Sequence, residues 1–293
     1  MSDTFLSQNE LLLKKNFQLL QKEKKLLQEE IFSLLCSYFD SLEYSESAFT
    51  DVASLFLNEC DRLFDDFEVS GKHWEIKLCL CQYLAQRYSF EDVLPTLEIN
   101  TSSSSNSQIV CWATNQYTEK ALAKFSKLFP SSKTVYVDSF SQVCDLVEGA
   151  DHFGILPIEN SADGRLVGFY RLIDKHELKI CAVCDIEDDA GETFTRFALV
   201  SGDLKRLASQ YPIHVELSVI SPNRTHFMEV IKVSEQLEIS GSRMFSVPLY
   251  YNREEAGNDT ITLTIYQKSA LPFFIYLYLF GKDINVLGFY IQF

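Results

Sequence analysis

Two short segments carry polar side chains of the kind that bind and transform small molecules. In Gly154-Ile-Leu-Pro-Ile-Glu-Asn-Ser-Ala-Asp-Gly164 a hydrophobic strand runs into a turn bearing Glu159, Asn160 and Ser161. Polar groups at the C-terminal end of a strand stand where open α/β sheets bind ligands. Asn160 and Ser161 are equally good caps for a helix beginning near Leu166, so the pattern leaves both readings open. The second segment, Thr193-Phe-Thr-Arg-Phe-Ala-Leu-Val200, reads by its periodicity as a half-buried strand. No Walker loop, GxGxxG, HExxH or paired CxxC is present, which removes the common nucleotide and zinc classes. Cys181-Ala-Val-Cys184 is a lone CxxC, and residues three apart in a strand face opposite sides of the sheet. Cys79 and Cys81 fall two apart in a helix and share no face, so both pairs read as core packing. His73, His152, His176, His214 and His226 show no ligand spacing, and none is assigned a catalytic role. No metal and no cofactor is expected.

The elements that must position these residues fall into three parts. Apolar residues recur at helical spacing over 9–42, from Leu12 and Leu13 through Phe17, Leu20, Leu27 and Ile31 to Leu34, Leu35, Tyr38 and Leu42, with five lysines between them. Helices are also expected over 47–67, introduced by Ser45 and Ser47, and over 72–88 after Ser70-Gly71. Residues 1–98 therefore read as an all-helical bundle. The run Ile-Asn-Thr-Ser-Ser-Ser-Ser-Asn-Ser over 99–107 has the composition of a linker.

Beyond the linker, strands are expected at 108–113, 134–137 and 152–157 and helices at 118–129 and 141–148, an alternation that signals a parallel sheet with covering helices. Strands 178–186 and 193–200, joined by Glu187-Asp-Asp-Ala-Gly-Glu192, predict a hairpin. A last unit over 212–293 has the order βαββαβ of ferredoxin-like folds: strands 214–220, 243–250, 259–266 and 284–292, with helices 225–237 and 270–280. The fold class is multi-domain, α and α/β.

Composition narrows the partners. With 293 residues, 46% of them hydrophobic, the chain has material for two or three cores. Its 26 Lys plus Arg against 41 Asp plus Glu give a net charge of −15, which repels phosphate backbones and anionic lipid surfaces. Neither nucleic acid nor membrane is expected as a partner. The polar start has no basic region followed by an apolar core, and the longest apolar run, 270–280, falls short of the roughly 20 residues that cross a bilayer. A cytoplasmic location with eight reduced cysteines is expected.

Taken together, Gly154-Ile-Leu-Pro-Ile-Glu-Asn-Ser-x-x-Gly164 and Thr195-Arg-Phe197 resemble the two most recognisable motifs of prephenate dehydratase. Tyr117-Thr-Glu-Lys-Ala121 with Lys124-Phe125 resembles that family's first helix, and Asp138-Ser-Phe140 with Val143 its Ser-Phe segment before the second. The tail from His214 to Phe293 is similar to the ACT regulatory domain that follows the dehydratase, with 284–290 matching its final strand. The resemblance implies a periplasmic-binding-protein-like α/β lobe over 108–205 that turns prephenate into phenylpyruvate in phenylalanine biosynthesis, losing water and CO2. It implies Thr195 as the catalytic hydroxyl and Asn160, Ser161, Thr118, Glu159 and Arg196 as substrate-binding residues. Ser242 and Arg243 would be regulatory contacts in the ACT-like unit, a prephenate or aromatic amino-acid carboxylate the ligand, and a homodimer the assembly.

The chain departs from the family in three places. A helical domain ahead of dehydratase and ACT regions is the layout of bifunctional chorismate mutase–prephenate dehydratases, yet residues 1–98 contain only Arg62 and Arg87 and lack the Arg motif that grips a dicarboxylate. Mutase activity is therefore not expected. The family inserts a second lobe between the strands equivalent to 178–186 and 193–200, where this chain has a short acidic turn. The ACT-like unit keeps only Ser242 and Arg243 of the family's phenylalanine-binding segments. A second class of function follows from these losses, that of a catalytically inactive regulatory or binding protein built on the same architecture.

Overall fold

The computed structural model describes residues 2–42, 48–66, 73–98, 107–112, 116–205, 207, 212–220, 224–248, 257–282 and 284–293. The chain divides into two compact units, Met1–Gln86 and Arg87–Phe293. The division lies upstream of the expected linker 99–107, of which 99–106 fall outside the described residues. Residues between Gln86 and the linker belong with the second unit because the short helix α4 (Phe90–Val93) packs Phe90 edge-on against Phe274, at 5.5 Å between ring centroids.

The first unit consists of α1 (Ser2–Asp40), α2 (Phe49–Asp66) and α3 (His73–Leu84). Phe39, Phe56 and Tyr83, one from each helix, meet with centroids 5.0–5.6 Å apart. The Tyr83 hydroxyl donates to Asp40 at 2.8 Å and the Tyr38 hydroxyl to Glu59 at 2.6 Å, so both polar tips at the edge of this aromatic core are satisfied. Arg62 is paired to Glu59 at 2.9 Å.

The second unit is built on one continuous ten-stranded sheet. Its strands are β1 (Gln108–Trp112), β2 (Lys133–Val137), β3 (Phe153–Asn160), β4 (Gly164–Arg165), β5 (Lys179–Glu187), β6 (Phe194–Ser201), β7 (Ile213–Ile220), β8 (Ser240–Pro248), β9 (Gly257–Ile265) and β10 (Ile284–Gln292). They lie in the order β2-β1-β3-β6-β5-β10-β7-β9-β8, with β4 beside β3. The sheet is mixed rather than parallel: β1 pairs parallel to β2 and β3, but β6 is antiparallel to β3 and to β5. The predicted hairpin is present, its turn closed by Asp188, which accepts from Thr193 Oγ1 at 2.6 Å and from the Glu192 amide at 3.0 Å.

Separate sheets for 108–205 and 212–293 are not what the chain forms. The last strand β10 lies parallel to β5 on one side and antiparallel to β7 on the other, so the edge that β5 would otherwise expose is paired. Gly288 makes this approach feasible, because a Cβ there would stand 2.7 Å from Ile180 Cβ. Within 213–292 the order is nevertheless the expected βαββαβ, with α8 (Arg224–Gln236) and α9 (Gln267–Phe280) as its helices and the first strand flanked by the fourth and third.

The helices α5 (Gln116–Phe125), α6 (Phe140–Val147) and α7 (Val167–Lys175) cover the other half of the sheet. Ala121, Leu122 and Phe125 of α5 share a core with Ile109, Phe153, Ile155 and Phe197. Val143 and Val147 of α6 with Phe169 and Ile173 of α7 share another, with Leu156, Ile158, Ala198 and Val200 on the opposite face. Alternation along β3 and β6 sorts their side chains into these two cores. Gly154 is required on the second, since a Cβ there would lie 2.7 Å from Val143 Cγ1.

The expectation that Cys181 and Cys184 face opposite sides is corrected. The β5–β6 register shifts between Ile180 and Ala182, and this bulge at Cys181 brings both cysteines into the α5-side core. Both are free thiols, and burial pushes each up to about 12. No described helix is long and apolar enough to cross a membrane.

Candidate functional site

The two motifs converge at the C-terminal end of β3. The β3–β6 register sets Asn160 directly opposite Thr195 and Glu159 opposite Arg196. Residues directly opposite in an antiparallel pair share a face, with Cβ atoms roughly 4.5–5.5 Å apart. Thr195 lies two residues from Phe197 and therefore on the α5 side, and Asn160 lies there with it. Thr195 is half-buried, and neither its hydroxyl nor the Asn160 carboxamide nitrogen bonds another described residue. Thr118 is buried in the first turn of α5, on the helix that covers this face.

The turn that follows is organised by the two residues left open between capping and binding. The Asn160 carboxamide oxygen accepts from the Ala162 amide at 2.8 Å, closing an Asx turn. Ser161 accepts from the Phe194 amide through its hydroxyl at 2.9 Å, while its own amide donates to the Phe194 carbonyl at 3.0 Å. Neither caps a helix: α7 begins after Leu166, which has no side-chain cap. Between turn and helix the chain inserts β4, an unexpected strand that pairs back onto Glu159 and Asn160. Ser161 thus ties the β3 turn to β6 and fixes the Asn160–Thr195 juxtaposition.

Glu159 and Arg196 occupy the opposite face. The Arg196 guanidinium binds Asp185 in bidentate fashion, at 2.6 and 2.8 Å, and reaches Glu159 at 3.1 Å. Gln292 of β10 donates to the same Asp185 at 3.1 Å. Their expected role as substrate contacts is therefore not the one the geometry gives them, because strand alternation turns them away from Thr195 and ion pairing satisfies them. Arg196 rivets β5, β6 and β3 together beneath the Thr195–Asn160 pair.

A second charged cluster lies on that same face. Arg165 of β4 donates to Glu216 of β7 and to Thr262 of β9, each at 2.8 Å, and its guanidinium lies 5.2 Å from the centroid of the Tyr170 ring. The Tyr290 hydroxyl donates to Glu216 at 3.2 Å. Burial first, and the Glu216 carboxylate second, hold the Tyr170 and Tyr290 hydroxyls well above the usual phenol range, so both remain protonated donors. Nothing in the sequence pattern singles out Arg165 or Glu216, since they lie 51 residues apart and meet through a sheet junction.

Among the described residues, one group has the donor types of a metal site: Asp145, Glu148 and His176. His176 Nδ1 stands 2.6 Å from Glu148 Oε2, while Nε2 is buried without a partner among the described residues. The Glu148 carboxylate thus engages Nδ1, the ring nitrogen that faces the two carboxylates. The cluster is a clasp between α6 and the end of α7. Ser242 and Arg243 lie on β8, with the register shifting between Gly241 and Arg243, and their side chains fall outside the described residues. A cavity of about 430 Å3 lined by Thr96, Glu98, Tyr278, Lys282 and Ile284 opens at the far end of β10 from the Arg196 cluster.

Residues 113–187 match the family model described as prephenate dehydratase. No curated protein matches the chain by sequence. Among solved structures, prephenate dehydratase from Streptococcus mutans superposes with a TM-score of 0.50 at 17% identity, over 64% of this chain and 100% of that one. A protein described as a novel type of quorum-quenching acylase gives 0.44 at 18% identity, over 62% and 94% of the two chains. Prephenate dehydratase from Arthrobacter aurescens in complex with L-Phe gives 0.45 at 15% identity, over 62% and 89%. The first superposition establishes likeness of fold; the two weaker ones carry no argument. The resemblance to prephenate dehydratase is borne out over 113–187, the span that contains the Glu159-Asn160-Ser161 turn.

Proposed function

We propose that the chain is a prephenate dehydratase-like enzyme whose reaction centre is the Thr195–Asn160 pair. The observation that carries this reading is the juxtaposition of a hydroxyl and a carboxamide at a strand end, with donors unpaired among the described residues. In the reaction, the bond from the ring to its carboxylate breaks and CO2 leaves, its electron pair completes the aromatic ring, and the ring hydroxyl departs as water. Thr195 donates a hydrogen bond to the departing hydroxyl and relays to it one proton taken from solvent water, so that it leaves as water, and Asn160 orients the substrate. Thr118 and Ser161 complete the wall, while Arg196 and Glu159 hold the strands that carry it. The βαββαβ unit is read as ACT-like, with Ser242 and Arg243 on β8 contacting an aromatic amino acid. No cofactor enters the reaction.

A specific observation favours a second reading, that of a binding protein without turnover. The strands β5 and β6 are joined by a six-residue turn where the resemblance implies an inserted second lobe, so a ligand at Thr195 has one wall. Hydrogen bonds to a ligand left in water lose much of their strength. Incubating the purified full chain with prephenate at neutral pH and following phenylpyruvate tests the proposal. Turnover above the spontaneous rate supports the enzyme. Calorimetric binding of prephenate without turnover moves the chain to the second reading, and neither binding nor turnover overturns both.

A further inference from the structure

We propose that Asp145, Glu148 and His176 bind one divalent transition-metal ion, of the zinc or cobalt class, which clamps α6 to the end of α7. The observations are independent of the reading of Thr195. One donor atom from each residue lies within 4.8 Å of the other two. The group is not one of carboxylates alone. The His176 side chain is 4% exposed, and its Nδ1 stands 2.6 Å from Glu148 and 3.8 Å from Asp145. Apart from these two carboxylates the ring has no polar partner among the described residues.

Local backbone structure fixes the donors. Asp145 lies in the last turn of α6 and Glu148 caps that helix, its amide donating to the Cys144 carbonyl. Residues three apart on a helix are neighbours, so both carboxylates leave α6 on one side. His176 caps α7, which ends in a Schellman turn: Glu177 takes a φ of 51°, its amide donates to Asp174 and the Leu178 amide donates to Ile173. The cluster therefore stands where two helices end, and the unpaired carbonyls of a helix C-terminus carry partial negative charge that favours a cation. Lys175, the basic residue in the last turn of α7, offsets only one of the two carboxylates.

The spacing fits a small ion. Ligand atoms about 2.1 Å from a tetrahedral ion are roughly 3.4 Å from one another. To reach that geometry the Nδ1–Glu148 distance opens by about 0.8 Å and the Nδ1–Asp145 distance closes by about 0.4 Å. The adjustment falls on carboxylates that are 59% and 55% exposed, while the buried ring stays in place. Two carboxylates balance a divalent charge, and the imidazole nitrogen selects zinc or cobalt over magnesium and calcium, which take oxygen ligands. Solvent on the carboxylate side supplies water for the remaining coordination position. With Nδ1 on the ion, the ring proton is carried by Nε2, which has no partner among the described residues. Such support is worth about 10–100-fold in affinity, so a micromolar rather than nanomolar dissociation constant is expected.

Equilibrium dialysis of the chelator-stripped full chain against Zn2+, and then against Co2+, tests this. One ion per chain is expected. The cobalt form shows the visible bands of nitrogen and oxygen ligands without the near-ultraviolet charge-transfer band of a thiolate. Asp145→Asn with Glu148→Gln weakens binding of either ion at least about 100-fold and leaves the metal-free melting temperature close to the parent, because both side chains are more than half exposed. His176→Gln abolishes binding as well. At about 100 times the dissociation constant, Co2+ raises the parent melting temperature by roughly 5–10 °C and leaves that of the double variant unchanged. A parent chain that binds neither ion overturns the proposal. So does a thiolate band in the cobalt spectrum, or a double variant that binds as the parent does.

Discussion

Arg165→Met removes the cation from a deeply buried charge cluster of the second unit. Arg165 is 11% exposed and Glu216 1%, and the residues that remain around the carboxylate are the hydroxyls of Tyr290 and Tyr170. Breaking a buried pair by deleting one partner costs about 3–5 kcal/mol, because the surviving charge keeps its desolvation penalty without its counterion. For a cooperative unit of this size each kcal/mol lowers the melting temperature by roughly 2–4 °C, so a fall on the order of 10 °C is expected. The double variant Arg165→Met with Glu216→Leu recovers most of that loss, since a buried pair exchanged for apolar residues is often nearly neutral. The turn carrying Asn160 precedes β4, and Arg165 anchors β4 to β7 and β9, so the single variant also raises KM for a ligand at Asn160. Scanning calorimetry of parent, single and double variants is the assay. A single-variant cost below about 1 kcal/mol refutes the reasoning, as does a double variant as unstable as the single.

Gly154→Ala drives a methyl group to within 2.7 Å of Val143 Cγ1, and overpacking of this kind costs about 1–3 kcal/mol, read as a lowered urea midpoint with an unchanged slope. His214 stacks on Tyr290 and lies 3.1 Å from Thr264, and burial first, then the Arg196 charge, lower its pKa. The unfolded chain therefore takes up a proton near pH 6.5 that the native state refuses, and stability falls as pH drops below that value by at most about 1.4 kcal/mol per pH unit. His214→Phe keeps the stacking and flattens this slope between about pH 7 and pH 5, as urea midpoints measure. Burial holds Cys79, Cys181 and Cys184 up to about 12 and Cys111 and Cys144 up to about 11, so these five thiols stay unlabelled by a thiol reagent at about pH 8 until the chain unfolds.

The sequence made local elements legible where periodicity was strong. The spacing of Leu, Phe and Ile residues marks α1, and the hydrophobic run to Pro157 marks β3, although the strand continues to Asn160 because β4 and β6 pair with its end. Edge pairing was not legible. Alternation says that β10 is a strand, but not that it joins β5 and merges two expected domains into one sheet. The bulge at Cys181 was invisible for a related reason, since a single inserted residue changes faces without changing composition. At the site, the motifs brought Asn160 and Thr195 into view, and the register then divided the expected contacts, keeping those two on one face and turning Glu159 and Arg196 to the other. The Arg165–Glu216 pair had no local signal, because it depends on which distant strands meet.

The most direct test of the account is a double-mutant cycle on phenylpyruvate formation from prephenate, comparing the parent chain with Thr195→Val, Asn160→Ala and both together. Val matches Thr in shape, and Ala leaves the strand pairing intact at the cost of the Asx-turn hydrogen bond from the Ala162 amide, so melting temperatures should fall by no more than a few degrees. The account predicts that Thr195→Val lowers kcat by roughly 100-fold or more, and that the double variant is little worse than the poorer single one, because the two side chains serve one transition state. Turnover by Thr195→Val within about tenfold of the parent, or fully additive losses, would contradict it.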